Sequence, residues 1–169
     1  MQSLARDLAG LERLTRRVES ALELLPERLL AVRPGSGWSP GQHLFHLSLA
    51  NELSLKNAAS LASGKGLLIR PRVALAPEVA SILRRGRLPR GAEAPRFVRP
   101  PPGVDLGLVR EIASGVRVEL ARLGTEPARL ADAPDGIPHQ ILGVLSAPEW
   151  VRFARMHTAH HLRILRGLV

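Results

Sequence analysis

The chain contains no cysteine and no tyrosine, and aromatic residues make up only 3% of it. Without cysteine it can form neither disulfides nor thiolate bonds to a metal, so any metal ion would have to be bound through nitrogen or oxygen. So few aromatic side chains almost exclude the stacking platforms on which single-stranded nucleic acids bind. These two absences restrict the metal chemistry and argue against one class of nucleic-acid binding.

Long apolar runs are missing as well. No stretch approaches the roughly 18 consecutive apolar residues that span a bilayer. The start, MQSLARDLAGLERL, has neither the apolar block nor the cleavage site of a secretory signal. We therefore expect a cytoplasmic protein with no membrane partner. A length of 169 residues predicts a single domain over residues 1–169, long enough to bury a sizeable core.

Positive charge is plentiful, and its distribution limits what it can mean. The net charge is +9, yet Lys56 and Lys65 are the only lysines, so nearly all basic residues are arginines. These arginines are scattered, apart from the stretch RRGRLPRG at 84–91. A basic surface favours weak, salt-sensitive contact with polyanions, whereas specific nucleic-acid binding is not expected.

Apolar periodicity predicts a long first helix whose stripe faces other helices. The stripe misses one position at Thr15, and the helix should end before RPGSG at 33–37, where proline and glycine stop it. The apolar residues of this stripe are Leu4, Leu8, Leu11, Val18, Leu22, Leu25 and Leu29.

A second helix has a clear start signal in WSPGQ. Ser39 can cap the helix, and Gln42 three residues later completes a capping box. Pro40 suits the first helical position, and the helix should continue to about Ser63. Apolar residues surround nearly the whole of this helix, which predicts a central and largely buried position.

Residues 64–103 are dense in proline, glycine and arginine. A stretch of this length is unusual inside a small domain unless it has a role of its own. We interpret it as a crossover that carries the chain from one end of a helical bundle to the other, with one short helix near 77–85. Disorder is the alternative.

Two further helices complete the predicted fold. The third is capped by Asp105, and the last runs from about Ala147 to Gly167 behind a second capping box formed by Ser146 and Glu149. A polar loop, APDGIPHQILGVL, precedes the last helix, and no segment alternates with period two, so no sheet is expected. The prediction is an all-α fold, a four-helix bundle with a long crossover between helices 2 and 3. The apolar side of the third helix is assigned to Leu108, Ile112, Val116 and Leu123.

Half of the six histidines, His157, His160 and His161, lie within five residues of one another. His157 and His161 are four residues apart on the apolar stripe of the last helix, and His160 lies at its edge. Two imidazoles so spaced can bind one ion. The alternative is a pair of buried core histidines that each find a polar partner.

A metal site would need a further ligand from elsewhere in the chain. His46 lies in the buried second helix, and His43 lies one turn earlier on the same side. His139 falls in a loop and is interpreted as a solvated residue. Glu52 and Glu111 are candidate bases without an assigned position. Three imidazoles from two helices would leave coordination positions open, which is typical of catalytic rather than structural zinc sites.

Two stretches resemble the DinB/YfiT-like superfamily. GWSPGQHLFHLSLANE is similar to its second-helix motif, and HQILGVLSAPEWVRFARMHTAHHLRIL to its C-terminal stretch with a final H-x-x-x-H. The resemblance implies a four-helix bundle with a crossover between helices two and three. Gln140 and Ile164 depart from the pattern of relatives without removing a ligand. The implied metal ligands are His46, His157 and His161, and the implied packing positions are Trp38 and Trp150.

The resemblance also implies a function. Members include transferases and isomerases that use a low-molecular-weight thiol, others are considered metal-dependent hydrolases, and relatives are often homodimers. We expect a metal-dependent enzyme that uses zinc or nickel to activate an external thiol or water for a small-molecule substrate. His43 is a candidate for a catalytic proton-transfer role or a contact to a ligand. The alternatives are a non-catalytic helical binding module that retains the site, with a basic surface for an anionic partner, and a stress-linked DNA-associated protein.

Overall fold

The computed structural model describes residues 2–32, 37–88, 91 and 93–168, and its regular elements are mostly helical. Parts of the predicted loop at 33–37 and of the basic stretch at 84–91 lie outside these residues. In chain order the elements are α1 (Gln2–Leu24), α2 (Glu27–Ala31), α3 (Pro40–Ser63), α4 (Pro77–Arg85), a 3₁₀ helix (Arg96–Val98), α5 (Leu106–Gly124), α6 (Pro127–Asp132), β1 (Ile137–His139), β2 (Gly143–Leu145) and α7 (Ala147–Leu165).

The first predicted helix is divided into two. α1 ends at Leu24 and α2 begins at Glu27, because Pro26 between them cannot donate a helical hydrogen bond and has extended backbone angles of φ −57° and ψ 139°. The prediction of one continuous helix was therefore wrong in its last turns. The apolar stripe of α1 is buried as predicted, and Leu29 lies outside the described side chains.

α3 begins where the sequence predicts and occupies the expected central position. The hydroxyl of Ser39 accepts a hydrogen bond from the Gln42 backbone N–H at 3.2 Å, and the Gln42 side chain accepts one from the Ser39 N–H at 3.0 Å. The helix ends at Gly64, whose φ of +67° is the left-handed conformation that favours glycine. α3 contacts both α5 and α7, and α1 contacts the same two helices.

α5 is capped by Asp105 as predicted, but its buried face differs from the one assigned. Leu108 is 43% exposed, so its assignment to the core was wrong. The buried face includes Ala113, a small residue that is not among the large apolar positions assigned from the sequence. The buried stripe is therefore shifted by one position along the helix. Its buried residues are Val109, Ala113, Val116, Leu120 and Leu123.

A short antiparallel hairpin occupies the stretch that was predicted to be a polar loop. β1 and β2 pair with Ile137 opposite Leu145. The prediction of no sheet was wrong because strands of three residues are too short to show a period of two. Gly136 before β1 exchanges two backbone hydrogen bonds with Arg70, at 2.8 and 2.9 Å. A Cβ atom at Gly136 would lie 2.5 Å from the Val144 side chain, so only glycine fits here.

Two short helices within residues 64–103 pack against the long helices. α4 coincides with the predicted short helix and contacts α7, and the 3₁₀ helix contacts α3. Leu83 and Val98 are each 4% exposed and anchor these two pieces in the core. The disorder alternative does not describe these residues.

A buried ion pair connects α1 to α7. The carboxylate of Asp7 accepts hydrogen bonds from Nε of Arg152 at 2.9 Å and Nε of Arg155 at 2.6 Å. A Cβ atom at Gly10 would lie 2.8 Å from Cδ of Arg155, so this glycine provides the room in which the arginine crosses α1. Asp7 is thus fixed by two cations in an apolar setting.

We predict that Asp7→Asn lowers the free energy of unfolding by about 3 kcal/mol, the low end for breaking a buried pair, because it leaves two guanidinium groups that are only partly buried without an anion. The matched control is Glu12→Gln, which removes an exposed pair with Arg16 on the same helix and should cost less than about 0.5 kcal/mol. Urea unfolding at pH 7.5 measures both. Equal losses for the two variants would show that the Asp7 pair contributes no more than a surface pair.

Candidate metal centre

Three histidines meet where α3 packs against α7. His46 comes from the second turn of α3, and His157 and His161 come from successive turns of α7. Each is only 5–7% exposed. The two helices bring together all three residues that the sequence motifs single out.

The three rings point their Nε2 atoms at one another. Nε2 of His157 lies 3.0 Å from Nε2 of His46 and 3.1 Å from Nε2 of His161. The donor atoms of the group all lie within 4.8 Å of one another. Bonds of about 2.0–2.1 Å from one zinc ion place neighbouring nitrogens roughly 3–3.5 Å apart, which matches the two separations from His157, so the group could hold a single divalent ion.

The other nitrogens of two of these rings have partners. Nδ1 of His46 donates to the carbonyl oxygen of Val98 at 2.9 Å. A carbonyl can only accept, so the proton of His46 is on Nδ1 and its Nε2 presents a lone pair. Nδ1 of His161 lies 3.0 Å from Nδ1 of His43. Nδ1 of His157 is buried and has no hydrogen-bond partner among the described residues.

Burial keeps the three rings neutral. It lowers the pKa of His157 well below 6.5, with repulsion from His46 as the next cause. Burial also lowers the pKa of His161, helped by repulsion from His157. The pKa of His46 is lowered by burial as well, against the opposing effect of its bond to Val98. Neutral imidazole is the form that binds metals, so all three are ready to do so at neutral pH.

His43 contacts the three-histidine group through His161. It is half-buried, and burial together with the charges of His46 and His160 lowers its pKa to about 4. Its ring packs against Trp38 with centroids 5.4 Å apart, and Trp38 also packs against His46 at 5.0 Å. No local sequence signal indicates the contact between His43 and His161, because 118 residues separate them in the chain.

His139 is half-buried and lies in a strand, so its interpretation as a solvated loop residue was wrong. Its Nδ1 accepts hydrogen bonds from the backbone N–H groups of Ile141 and Leu142 at 3.1 and 3.2 Å. Its ring packs against Trp150 and Phe153, with centroids 5.4 and 4.5 Å away. Burial lowers the pKa of His139 to about 4. The hairpin, which the sequence does not predict, creates this environment.

Neither candidate base is part of the group. Glu52 accepts a hydrogen bond from Lys56 at 2.8 Å, and Glu111 is exposed. The metal-ligating group that the described residues form therefore consists of histidines alone.

Fold and site together define a mostly helical protein with a buried three-histidine cluster that fits metal binding. The family model described as the DinB superfamily matches residues 10–165. The chain belongs to the DinB superfamily, as its sequence motifs indicate. No curated protein and no solved structure matches it. Within the described residues, no helix combines the length and apolar character needed to cross a membrane.

The lowered pKa of His139 predicts a pH dependence of stability. Between pH 6.5 and about 4 the unfolded chain binds a proton at this residue that the native state does not, so the free energy of unfolding falls as the pH falls. For metal-free protein in a chelator, His139→Gln should reduce the slope of the free energy of unfolding against pH. The reduction should correspond to up to about one bound proton near pH 5, measured by urea unfolding across that window.

An exposed histidine provides the matched control for this measurement. Gln140→His adds a histidine at an exposed neighbouring position, where both states should titrate alike, so the pH slope should not change. If His139→Gln leaves the slope as steep as in the wild type, burial does not hold His139 neutral.

Proposed function

We propose that this chain is a metal-dependent enzyme in which His46, His157 and His161 bind one divalent ion. The observation that carries the proposal is the convergence of three buried Nε2 atoms, 3.0 and 3.1 Å apart at the two shorter separations. Three neutral imidazoles with so few local polar partners are hard to explain as packing alone, because each buried nitrogen costs free energy unless it is bonded. An ion would satisfy all three at once.

A zinc or nickel ion held by three imidazoles supplies Lewis acidity, which makes a thiol or a water molecule a better nucleophile near neutral pH. The chain has no cysteine, so a thiol would have to come from a small external molecule. The corresponding reactions are group transfer with a low-molecular-weight thiol and hydrolysis. The protein's own part is to orient His46 through Val98 and to keep the rings dry beneath Trp38 and Phe153.

We further propose that α1, α3, α5 and α7 form the four-helix bundle of a single domain, with residues 64–103 as the crossover between its second and third helices. The pairwise contacts of these four helices support this arrangement. A cytoplasmic location, a small-molecule substrate, a homodimer and a catalytic role for His43 stay predictions.

The second candidate is a helical binding module that holds the ion without catalysis and meets an anionic partner through its basic surface. The burial of the site favours this candidate, since all three rings are 5–7% exposed and Val98 above His46 is 4% exposed. Access for a thiol or a substrate is what separates the two candidates.

Metal content tests the site. Protein purified without a polyhistidine tag should contain about one divalent ion per chain by elemental analysis, and His157→Ala should reduce this to near zero because it removes the central Nε2. The matched control is Arg163→Ala, which removes an exposed side chain from the same helix outside the three-histidine group and should keep the ion. Metal-free wild-type protein that also fails to bind added zinc would exclude the proposal.

Thiol access tests catalysis against binding alone. In protein loaded with Co²⁺, a small thiol should change the visible absorption spectrum if a coordination position is open to it. A spectrum that millimolar concentrations of several thiols leave unchanged would favour the binding module. Salt-sensitive binding to a polyanion would then support the basic surface as the functional face.

A further inference from the structure

His43 contacts a candidate ligand on the opposite helix. Its Nδ1 lies 3.0 Å from Nδ1 of His161, and the ring centroids are 5.2 Å apart at 48°. His43 is three residues before His46 on α3, so one helix face carries both a candidate ligand and a residue that touches another. This contact uses the His161 nitrogen that points away from the three-histidine group.

The contact fixes where the protons lie if His161 binds metal. A neutral imidazole has one proton, and Nε2 of His161 can bind an ion only when that proton is on Nδ1. Nδ1 of His161 then donates to Nδ1 of His43, which must accept, so the proton of His43 is on its own Nε2. The reverse arrangement would place a proton on Nε2 of His161, where it would point at His157, 3.1 Å away.

We propose that His43 is a positioning residue that accepts the Nδ1 proton of His161 and so holds Nε2 of His161 ready for the ion. The proposal rests on the proposed function. Val98 performs the same task for His46, where the acceptor is a backbone carbonyl at 2.9 Å. Metal-bound histidines almost always donate their second nitrogen to such an acceptor, and losing the acceptor typically costs 10–100-fold in affinity.

One aromatic side chain, Trp38, packs against the ring of His43. Trp38 contacts His43 and His46 together, with centroids 5.4 and 5.0 Å away. The Trp38 indole therefore packs against both His46, which supplies a donor atom from α3, and His43, which orients the donor atom of His161 on α7. The acceptor is thereby held in place across the helix interface.

Two amide variants of His43 test whether zinc affinity needs an acceptor at the position of Nδ1 or only a polar side chain. Asparagine places its carbonyl oxygen near the position of Nδ1, whereas the longer glutamine places its amide near the position of Nε2. His43→Asn should keep zinc affinity within a few-fold of wild type, and His43→Gln should lose about 10–100-fold, measured by competition with a chromophoric chelator. Urea unfolding of both metal-free variants controls for folding, and since both are polar amides their stabilities should match.

The tautomer of His161 provides a second readout that does not need metal. In the metal-free wild type, ¹⁵N spectra of the histidine rings should show His161 protonated on Nδ1, and His43→Gln should shift the population toward Nε2. Wild-type His161 protonated on Nε2, or equal zinc affinities for the Asn and Gln variants, would overturn the role of His43. Failure of the wild type to bind zinc refutes the proposed function instead, and the tautomer measurement still decides whether His43 orients His161.

Discussion

The contact between α3 and α7 has to accommodate several imidazole rings in a place that excludes water. A buried ring nitrogen without a partner costs roughly 1–3 kcal/mol. The structure meets this constraint with acceptors from two directions, the Val98 carbonyl for His46 and the His43 ring for His161. These partners leave the Nε2 atoms of the three rings without an acceptor or donor from elsewhere in the described chain, and this is the feature that fits metal binding.

The site lies at the level where a polar layer divides the apolar core. One apolar cluster contains Leu55 and Trp150, and the other contains Leu47 and Leu162. Between them Asn51 of α3 donates to Thr158 of α7 at 2.8 Å. A slip of one helix by a turn could keep much of the apolar packing but would break this buried bond, and it would also part His46 from His157. The polar layer therefore penalises the register that would disassemble the site.

Local signals in the sequence were enough for the helices that carry the site. Both capping boxes, around Ser39 and Ser146, and the short helix at 77–85 are as predicted, and the three candidate ligands follow from the spacing on α7 and the family motif. The break at Pro26 was visible in the sequence and was missed. The hairpin and the environment of His139 that it creates were missed because strands of three residues are too short to show a period of two. The environment of His43 depends on His161, 118 residues away, and neither periodicity nor spacing encodes a contact of that range.

One side chain, that of Gln42, connects the capping box of α3 to the proline-rich segment. Gln42 uses its amide oxygen to complete the cap of α3 and its amide nitrogen to donate to the carbonyl of Pro101 at 2.8 Å. Proline has no N–H, so a proline can be held through its backbone only by a donor to its carbonyl, and Gln42 supplies one to Pro101. Three residues before Pro101, the same segment presents the Val98 carbonyl to His46, one turn after Gln42 on α3. The start of the helix thus positions both the candidate ligand and the backbone acceptor that orients it.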